Sequence, residues 1–205
     1  MPKIEPFESF SKVYDEWFER NPQKYKLELK AVKTFIPQNA KGLEVGVGSG
    51  KFAAPLGIKT GVEPSNKMAQ IAESLGINVI KAIAEALPFE DESFDFVLMV
   101  TTICFVDDIK KSFKEAHRVL KKDGFIVVGF VNKDSELGNK YQKNRDKSKF
   151  YKEATFFSTS EVVDLLKDAG FKSFEIKQTL LPQDEKKDII DGFGKGSFVV
   201  IKGIK

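Results

Sequence analysis

The first part of the chain carries apolar residues at helical spacing. Between residues 7 and 36 they recur every three or four positions, and Asn21 followed by Pro22 interrupts the pattern. This period is typical of amphipathic helices, and proline is accepted in the first turn of a helix but not in its interior. The pattern predicts two N-terminal helices, and we expect residues 1–38 to form a helical lid.

From residue 42 onward, short β-rich runs alternate with helical stretches. Such alternation favours a mostly parallel sheet with helices on both faces, that is, a three-layer doubly wound α/β fold. Among the helices, the stretch 65–75 starts at Ser65, a residue type that caps helix N-termini. The predicted strands are 42–45, 59–62, 78–82, 94–100 and 125–131, and the clearest predicted helices are 65–75 and 107–120.

The last third of the chain begins with a polar segment. We expect residues 132–157 to form a variable loop or a lid, and a plain solvated insertion explains the same composition equally well. A further helix is predicted over 158–169, closed by Gly170, and two final strands over 171–179 and 197–204.

Composition limits the classes of protein to consider. With 205 residues, 41% of them hydrophobic, the chain suffices for one core, and we expect a single domain over 1–205. The 33 basic and 30 acidic residues are spread evenly, so no nucleic-acid partner is expected. One cysteine and one histidine argue against a metal site, and no apolar run approaches the length of a membrane span. We therefore expect a cytoplasmic protein without a membrane partner.

The most informative segment is GLEVGVGSG at residues 42–50, with glycines at 46, 48 and 50 after a short apolar strand. Glycine allows a sharp turn and a close approach of the backbone to a ligand. The turn follows the carboxyl end of a predicted central strand, where open α/β sheets bind their ligands. This segment therefore predicts a cofactor site.

Two phosphate-binding motifs do not match this segment. The dinucleotide fingerprint GxGxxG requires Gly or Ala where this chain has Lys51, and the P-loop requires glycine at Val45 and Ser or Thr at Phe52. The remaining pattern is ExGxGxG, led by Glu44. A carboxylate there suits a ligand with an ammonium group and a sulfonium charge, as in S-adenosylmethionine (SAM). Glu63 ends the second strand, where an acidic residue accepts the hydroxyl groups of a ribose.

Together with later segments, these residues resemble the class I SAM-dependent methyltransferases. The chain is most similar to the type 11 group, which includes quinone-biosynthesis methyltransferases. This resemblance implies SAM as cofactor and a Rossmann-like sheet of seven strands, mostly parallel, with an antiparallel last strand. The motifs that carry it are GLEVGVGSG, GVEPSNKMAQIA, AEALPFEDESFDFVLMV and EAHRVLKKDGFIVVGFV.

The resemblance also implies roles for individual residues along the predicted cofactor path. The methionine part of SAM is expected at Glu44, Gly46, Gly48 and Gly50, the ribose at Glu63, the adenine between Pro64 and Met68 with Ala84 and Glu85 along its edge, and the sulfonium above Thr101 and Thr102. Many relatives carry an acidic residue where this chain has Ile83, so adenine recognition is expected to depend on backbone contacts.

The residues near the methyl acceptor are predicted less clearly than those that bind the cofactor. Cys104 and Phe105 are implied to lie close to the acceptor, and Tyr14 and Trp17 to form an aromatic cover over the cofactor or a cation–π wall for an amine. Core packing explains the two N-terminal aromatic residues equally well. Burial as a small apolar side chain likewise explains Cys104.

Methyl transfer is an in-line displacement that needs alignment and exclusion of water more than a base. We nominate no catalytic base, since His117 is expected to be structural. The predicted function is methyl transfer from SAM to a small-molecule acceptor, with amines among the candidates. The alternatives are a non-catalytic SAM-binding regulatory protein and, less favoured, a polyamine synthase or a nicotinamide-dependent dehydrogenase.

Overall fold

The computed structural model describes residues 3–182 and 188–205, and an eight-stranded sheet runs through its centre in the order β3-β2-β1-β4-β5-β8-β6-β7. Neighbouring strands from β3 to β5 are parallel, whereas β8 runs antiparallel to both β5 and β6. The strands are β1 Gly42–Val45, β2 Thr60–Val62, β3 Asn78–Ile80, β4 Phe94–Val100, β5 Leu120–Val131, β6 Lys172–Thr179, β7 Ile190–Asp191 and β8 Phe198–Ile204.

The predicted fold class is confirmed, with one strand more than the seven expected. The extra strand is β7, whose two residues pair antiparallel with Lys177 and Gln178 at the sheet edge. Two residues are too few to produce an alternating pattern, so this strand left no signal in the sequence.

Eight α-helices are described around the sheet. Ser65 accepts a hydrogen bond from the backbone of Met68 at the start of α5, and Ser158 and Glu161 form a capping box at the start of α8. The helices are α1 Glu5–Ser9, α2 Ser11–Arg20, α3 Pro22–Lys33, α4 Ala53–Leu56, α5 Asn66–Ser74, α6 Ile109–Val119, α7 Glu136–Lys143 and α8 Thr159–Asp168.

Two helical segments differ from the prediction. The N-terminal region contains three helices rather than two, because the backbone leaves helical geometry at Phe10 as well as at Asn21. The predicted loop 132–157 contains α7 and a 3-10 turn, Arg145–Lys147. Ser135 caps α7 by accepting from the backbone of Gly138, which stabilises a helix whose polar composition suggested none.

The core lies on both faces of the sheet, as the side chains of β4 illustrate. Val97 and Met99 pack into the cluster that includes residues of α6 and α8, whereas Phe96, Leu98 and Val100 pack into the cluster that includes residues of α3 and α5. This alternation buries both faces of the central strand. Among the residues that the structure describes, no helix is long and apolar enough to cross a membrane.

Arg118 on α6 fixes the loop that follows β3. Its guanidinium donates to the backbone oxygens of Leu87 (2.9 Å) and Phe89 (2.7 Å), and it pairs with the carboxylates of Glu115 and Asp91 at 2.8 Å each. Glu115 in turn accepts from the backbone nitrogen of Leu87 at 2.8 Å. The loop that precedes β4 is therefore held against α6 by charge-assisted hydrogen bonds.

Replacing Arg118 with methionine keeps most of the apolar stem and removes this network. We expect the Arg118→Met variant to lose about 2 kcal/mol of unfolding free energy, because hydrogen bonds to charged groups contribute about that much. Urea denaturation followed by circular dichroism measures the change. Lys122→Met, at an exposed position, is the matched control and should stay close to wild type. Equal stability of the two variants would contradict this role of Arg118.

Candidate functional site

A cleft opens at the carboxyl ends of β1, β2 and β4. This position is where open α/β sheets bind ligands. Its walls come from the loops after β1 to β4 and from the N-terminal helices. Predicted site residues that line it are Tyr14, Gly46, Gly48, Glu63, Pro64, Met68, Ala84, Glu85, Thr101, Thr102 and Phe105.

The glycine loop turns at the floor of the cleft. Gly46 donates to the carbonyl of Val62 at 2.8 Å, and its φ of +70° is accessible mainly to glycine. A Cβ atom at position 46 would lie 2.4 Å from Cγ2 of Thr102. Gly50 also has a positive φ, but it does not line the cleft, and a Cβ there would lie 2.6 Å from Ile77. Gly50 is therefore required by packing.

Glu63 joins the loops that follow β1 and β2. One carboxylate oxygen accepts from the backbone nitrogen of Gly48 at 3.0 Å, and the other accepts from Ser65 at 2.9 Å. Burial raises the pKa of Glu63 to about 7, although these two hydrogen bonds lower it. Because each carboxylate oxygen has more than one acceptor position, the group keeps capacity for two further hydroxyl donors at the cleft.

Glu44 is the most deeply buried carboxylate near the loop, with 2% of its surface exposed. Burial raises its pKa well above the ordinary value, and a hydrogen bond from the backbone of Ala53 opposes that rise. Within residues 3–182 and 188–205, its Oε2 atom has no hydrogen-bond partner. Glu44 does not line the cleft, yet an orphan acceptor beside the glycine loop suits a cationic group of a ligand.

The N-terminal helices cover the cleft and are anchored to the glycine loop. Lys51 forms an ion pair with Asp15 at 3.0 Å, and its carbonyl oxygen accepts from the Tyr25 hydroxyl at 2.5 Å. Glu8 accepts from the backbone nitrogen of Asn66 at the start of α5. Lys51, the residue that breaks the dinucleotide fingerprint, therefore holds α2 and α3 over the loop.

The loop after β3 places Ile83, Ala84 and Glu85 along one wall of the cleft. The Glu85 carboxylate faces the start of α6 rather than solvent. Its Oε1 atom accepts from the backbone nitrogens of Asp107 (2.7 Å) and Asp108 (3.0 Å). The predicted position of Glu85 at an adenine edge is compatible with this placement, but its carboxylate already serves to fix the start of α6.

The two threonines after β4 have different roles. Thr101 has a φ of +52°, which is unusual for a β-branched residue, and its side chain hydrogen-bonds with Tyr14. Burial raises the pKa of Tyr14, so that hydroxyl stays protonated. Thr102 Oγ1 lies 3.1 Å from the carbonyl oxygens of both Val45 and Val100. Thr102 thus connects the ends of β1 and β4 beneath Gly46.

A second, much smaller cavity adjoins the cleft, and Thr101 lines both. Cys104 lies on this second cavity, where burial raises the pKa of its thiol to about 12, so the thiol remains protonated. The other lining residues are mostly aromatic or aliphatic: Ile103, Phe130, Val131, Tyr141, Tyr151, Thr155, Phe156 and Phe157.

Some predicted residues lie elsewhere, and some lining residues were missed. Trp17 lines neither cavity and packs edge-on against Phe18 at 5.2 Å. Tyr14, the other residue of the predicted aromatic wall, lines the cleft, and further rings line the cavities, including Phe7 in the cleft and Tyr141 and Tyr151 in the second cavity. Phe7 belongs to the helical stripe in the sequence, whereas Tyr141 and Tyr151 lie in a polar stretch without periodicity.

No group of three or more potential metal ligands is found within the described ranges 3–182 and 188–205. The cleft instead presents carboxylates and backbone groups suited to an organic ligand with hydroxyl and cationic groups.

Comparisons with known proteins agree with this geometry. The family profile described as "Methyltransferase domain" matches residues 43–128. A crystal structure from Thermotoga maritima, of a SAM-dependent methyltransferase named as a possible histamine N-methyltransferase, is 50% identical. The match covers 98% of this chain and 99% of that one, with a TM-score of 0.94. An uncharacterized protein of Methanocaldococcus jannaschii is 46% identical over 97% of this chain and 98% of its own.

A more distant likeness concerns the fold alone. A Haemonchus contortus phosphoethanolamine N-methyltransferase in complex with SAM is 19% identical, with a TM-score of 0.63 over 88% of this chain and 52% of that one.

The two glycines at the cleft allow a matched test of the loop. Both have positive φ, but a Cβ at Gly48 meets only Met68 at an ordinary 3.6 Å, whereas one at Gly46 clashes with Thr102. We expect Gly48→Ala to cost about 1 to 2 kcal/mol of unfolding free energy from backbone strain. Gly46→Ala should cost roughly 1 to 3 kcal/mol more, from overpacking. Urea denaturation of both variants measures this, and equal costs would show that the Thr102 contact is easily relieved.

Proposed function

The chain belongs to the SAM-dependent methyltransferases, and we propose that it transfers the methyl group of SAM to a small-molecule acceptor. The observation that carries this proposal is the junction of the two cavities at Thr101. One cavity has the carboxylates and glycines suited to SAM, and the other is a small, mostly apolar chamber. Such a junction is where a methyl group would pass from cofactor to acceptor.

The residues of the cleft fit SAM group by group. The orphan oxygen of Glu44 suits the ammonium of the methionine part, and Gly46 and Gly48 let the backbone approach that part closely. Glu63, held by the backbone of Gly48 and Ser65, suits the ribose hydroxyls. An apolar slot suits the adenine ring, and it is formed by Pro64, Met68, Ile83, Ala84 and Val106.

Bound SAM supplies a methyl group activated by the sulfonium, so the chain mainly has to position the acceptor and exclude water. Phe7 and Tyr14 cover the cleft from the N-terminal helices, and Phe105 contacts Phe7 at 4.9 Å between ring centroids. The pKa values of Tyr14 and Cys104 are raised by burial, so neither group is a base at neutral pH. His117 packs against Phe171, 5.2 Å between ring centroids, and lines neither cavity.

The lining of the second cavity favours a small organic acceptor. Its side chains are mostly aromatic and aliphatic, which suits an organic group better than the phosphates of a nucleic acid. The similar Thermotoga maritima protein is named as a possible histamine N-methyltransferase, which supports a small amine.

The cofactor role of Glu63 can be tested by replacing it with glutamine. We expect Glu63→Gln to weaken binding of S-adenosylhomocysteine by roughly 10- to 100-fold, because two charge-assisted hydrogen bonds to the ribose become neutral. Calorimetric titration of the purified protein measures the affinity, with NADH as a second ligand. Glu73→Gln, an exposed position on α5, is the matched control. Unchanged affinity in Glu63→Gln, or a preference of wild type for NADH, would refute the proposed site.

The raised pKa of Glu63 also makes cofactor binding depend on pH. Its pKa rises from the ordinary 4.5 to about 7, so the free protein loses stability as pH rises between these values. The ionised carboxylate is the better acceptor for ribose hydroxyls. We therefore expect the affinity for S-adenosylhomocysteine to increase about tenfold from pH 6 to pH 8, following the ionised fraction.

The same calorimetric titration across pH 6 to 8 measures this dependence, and Glu63→Gln should give a flatter profile. A wild-type affinity that falls over this range would contradict the assignment of the ribose to the ionised Glu63.

A further inference from the structure

The shortest of the three N-terminal helices forms part of the cleft wall. α1 has five residues, none of them buried, and Ile4 and Phe7 at this helix line the cleft. A helix of this length is not stable by itself in water and depends on contacts with the rest of the chain. The position of α1 over the cleft is therefore set by its tertiary contacts.

Glu8 connects α1 to the first turn of α5. Its carboxylate accepts from the backbone nitrogen of Asn66, and the preceding backbone nitrogen, that of Ser65, donates to Glu63 at 2.9 Å. Two carboxylates are thus bound by consecutive nitrogens at the positive end of α5. Glu63 lines the cleft and Glu8 does not, so the hydrogen bond of Glu8 acts on the position of α1.

Phe7 supplies the apolar contacts of the same helix. Its ring centroid lies 4.9 Å from that of Phe105, and 5.6 Å from those of both Tyr14 and Phe150. These ring contacts are non-directional compared with the hydrogen bond of Glu8, which has a charged acceptor. The Glu8 contact is therefore the one that a single substitution can remove without changing the cleft wall.

The backbone between α1 and α2 leaves helical geometry at Phe10, where φ is −126° and ψ is 27°. The chain beyond this residue is fixed, because Phe18 of α2 is buried and Asp15 forms the ion pair with Lys51 of the glycine loop. Hinges lie at such ends of elements, where a few residues absorb the change in φ and ψ. Phe10 thus has the position of a hinge between a weakly held helix and a fixed one.

We propose that α1 controls exchange of the cofactor by opening about Phe10, and that Glu8 is a positioning residue that holds α1 closed. This inference rests on the proposed function, because it takes the cleft to be the SAM site. When α1 opens, Ile4 and Phe7 leave the wall of the cleft, while α2 and α3 stay on the glycine loop. Covers of this kind commonly set the rate of product release.

The Glu8→Ala variant tests this proposal through two rate constants. The hydrogen bond joins two residues of the chain, so it stabilises the closed position whether the cleft is empty or filled. We expect its loss to raise both the association and the dissociation rate constants of S-adenosylhomocysteine by about five- to tenfold, with Kd within about threefold of wild type. Surface plasmon resonance on the full chain measures both rate constants.

Glu5→Ala is the matched control on the same helix. It removes one carboxylate, whose side-chain contact is with the Ser9 hydroxyl within α1 at 2.9 Å. Both rate constants should stay within about twofold of wild type, because the connection to α5 is kept. A loss of charge near the cleft would affect the two variants alike.

Wild type alone provides a second measurement. The amides of Phe7, Glu8 and Phe10 donate to backbone oxygens at α1, so their hydrogen exchange reports opening of this helix. Mass spectrometry should find them exchanging at least about tenfold faster than the helical amides of α2. Saturating S-adenosylhomocysteine should slow the α1 amides.

The outcomes separate this inference from the proposed function. If wild type does not bind S-adenosylhomocysteine, the cofactor site itself is refuted. If wild type binds it but Glu8→Ala raises only the dissociation rate constant, or changes neither, the role of α1 is overturned and the cofactor site stands. Amides of α1 that exchange as slowly as those of α2 in the free protein would also overturn it, even where Glu8→Ala fails to fold.

Discussion

The hydrogen bonds of Glu63 are the interaction on which the rest of the site depends. Its two oxygens hold the backbone of Gly48 on one side and Ser65 on the other. These contacts fix the glycine loop relative to the start of α5, and Gly46 binds the carbonyl of Val62 from the same loop. Each oxygen of Glu63 accepts from one backbone nitrogen. The carboxylate can therefore still accept hydrogen bonds from a ligand in the cleft.

Three carboxylates lose their hydration on burial, each in different surroundings. Burial raises the pKa of Glu63 to about 7, of Glu28 to about 8, and of Glu44 well above its ordinary value. For Glu63 and Glu44, which lie at the glycine loop, the free protein carries a cost that a ligand with hydroxyl or cationic groups would relieve. Polar groups that destabilise the free protein in this way are common at binding sites, where affinity is gained at the expense of stability.

The sequence predicted the elements whose signals are local. The apolar run of β4 and the cap at Ser65 correspond to the elements observed, and the glycine pattern led to the cleft. It did not predict β7, because two paired residues carry no period, or α7, whose polar face gives no apolar stripe. Local pattern is a sound guide where one face of an element must be buried.

The residues that sequence reasoning missed or misplaced depend on contacts between distant segments. In the sequence, Lys51 is notable only as the residue that departs from the dinucleotide fingerprint. Its ion pair with Asp15 becomes visible only in the fold. Trp17 shares the helical stripe with Tyr14, yet its ring packs on Phe18 instead of lining either cavity. Tyr141 and Tyr151 line the second cavity but lie in a polar segment, so no apolar period marked them in the sequence.

The covers of the two cavities form one aromatic cluster. Phe150, from the segment after β5, contacts both Phe7 (5.6 Å) and Tyr14 (5.8 Å), which cover the cleft. Phe105 bridges from Phe7 to Tyr151 on the second cavity, with its ring stacked at 5.9 Å. Each such ring pair contributes about 0.5 to 1.5 kcal/mol beyond its buried area. Opening either cover therefore breaks contacts of the other, and the two cavities are energetically coupled through these rings.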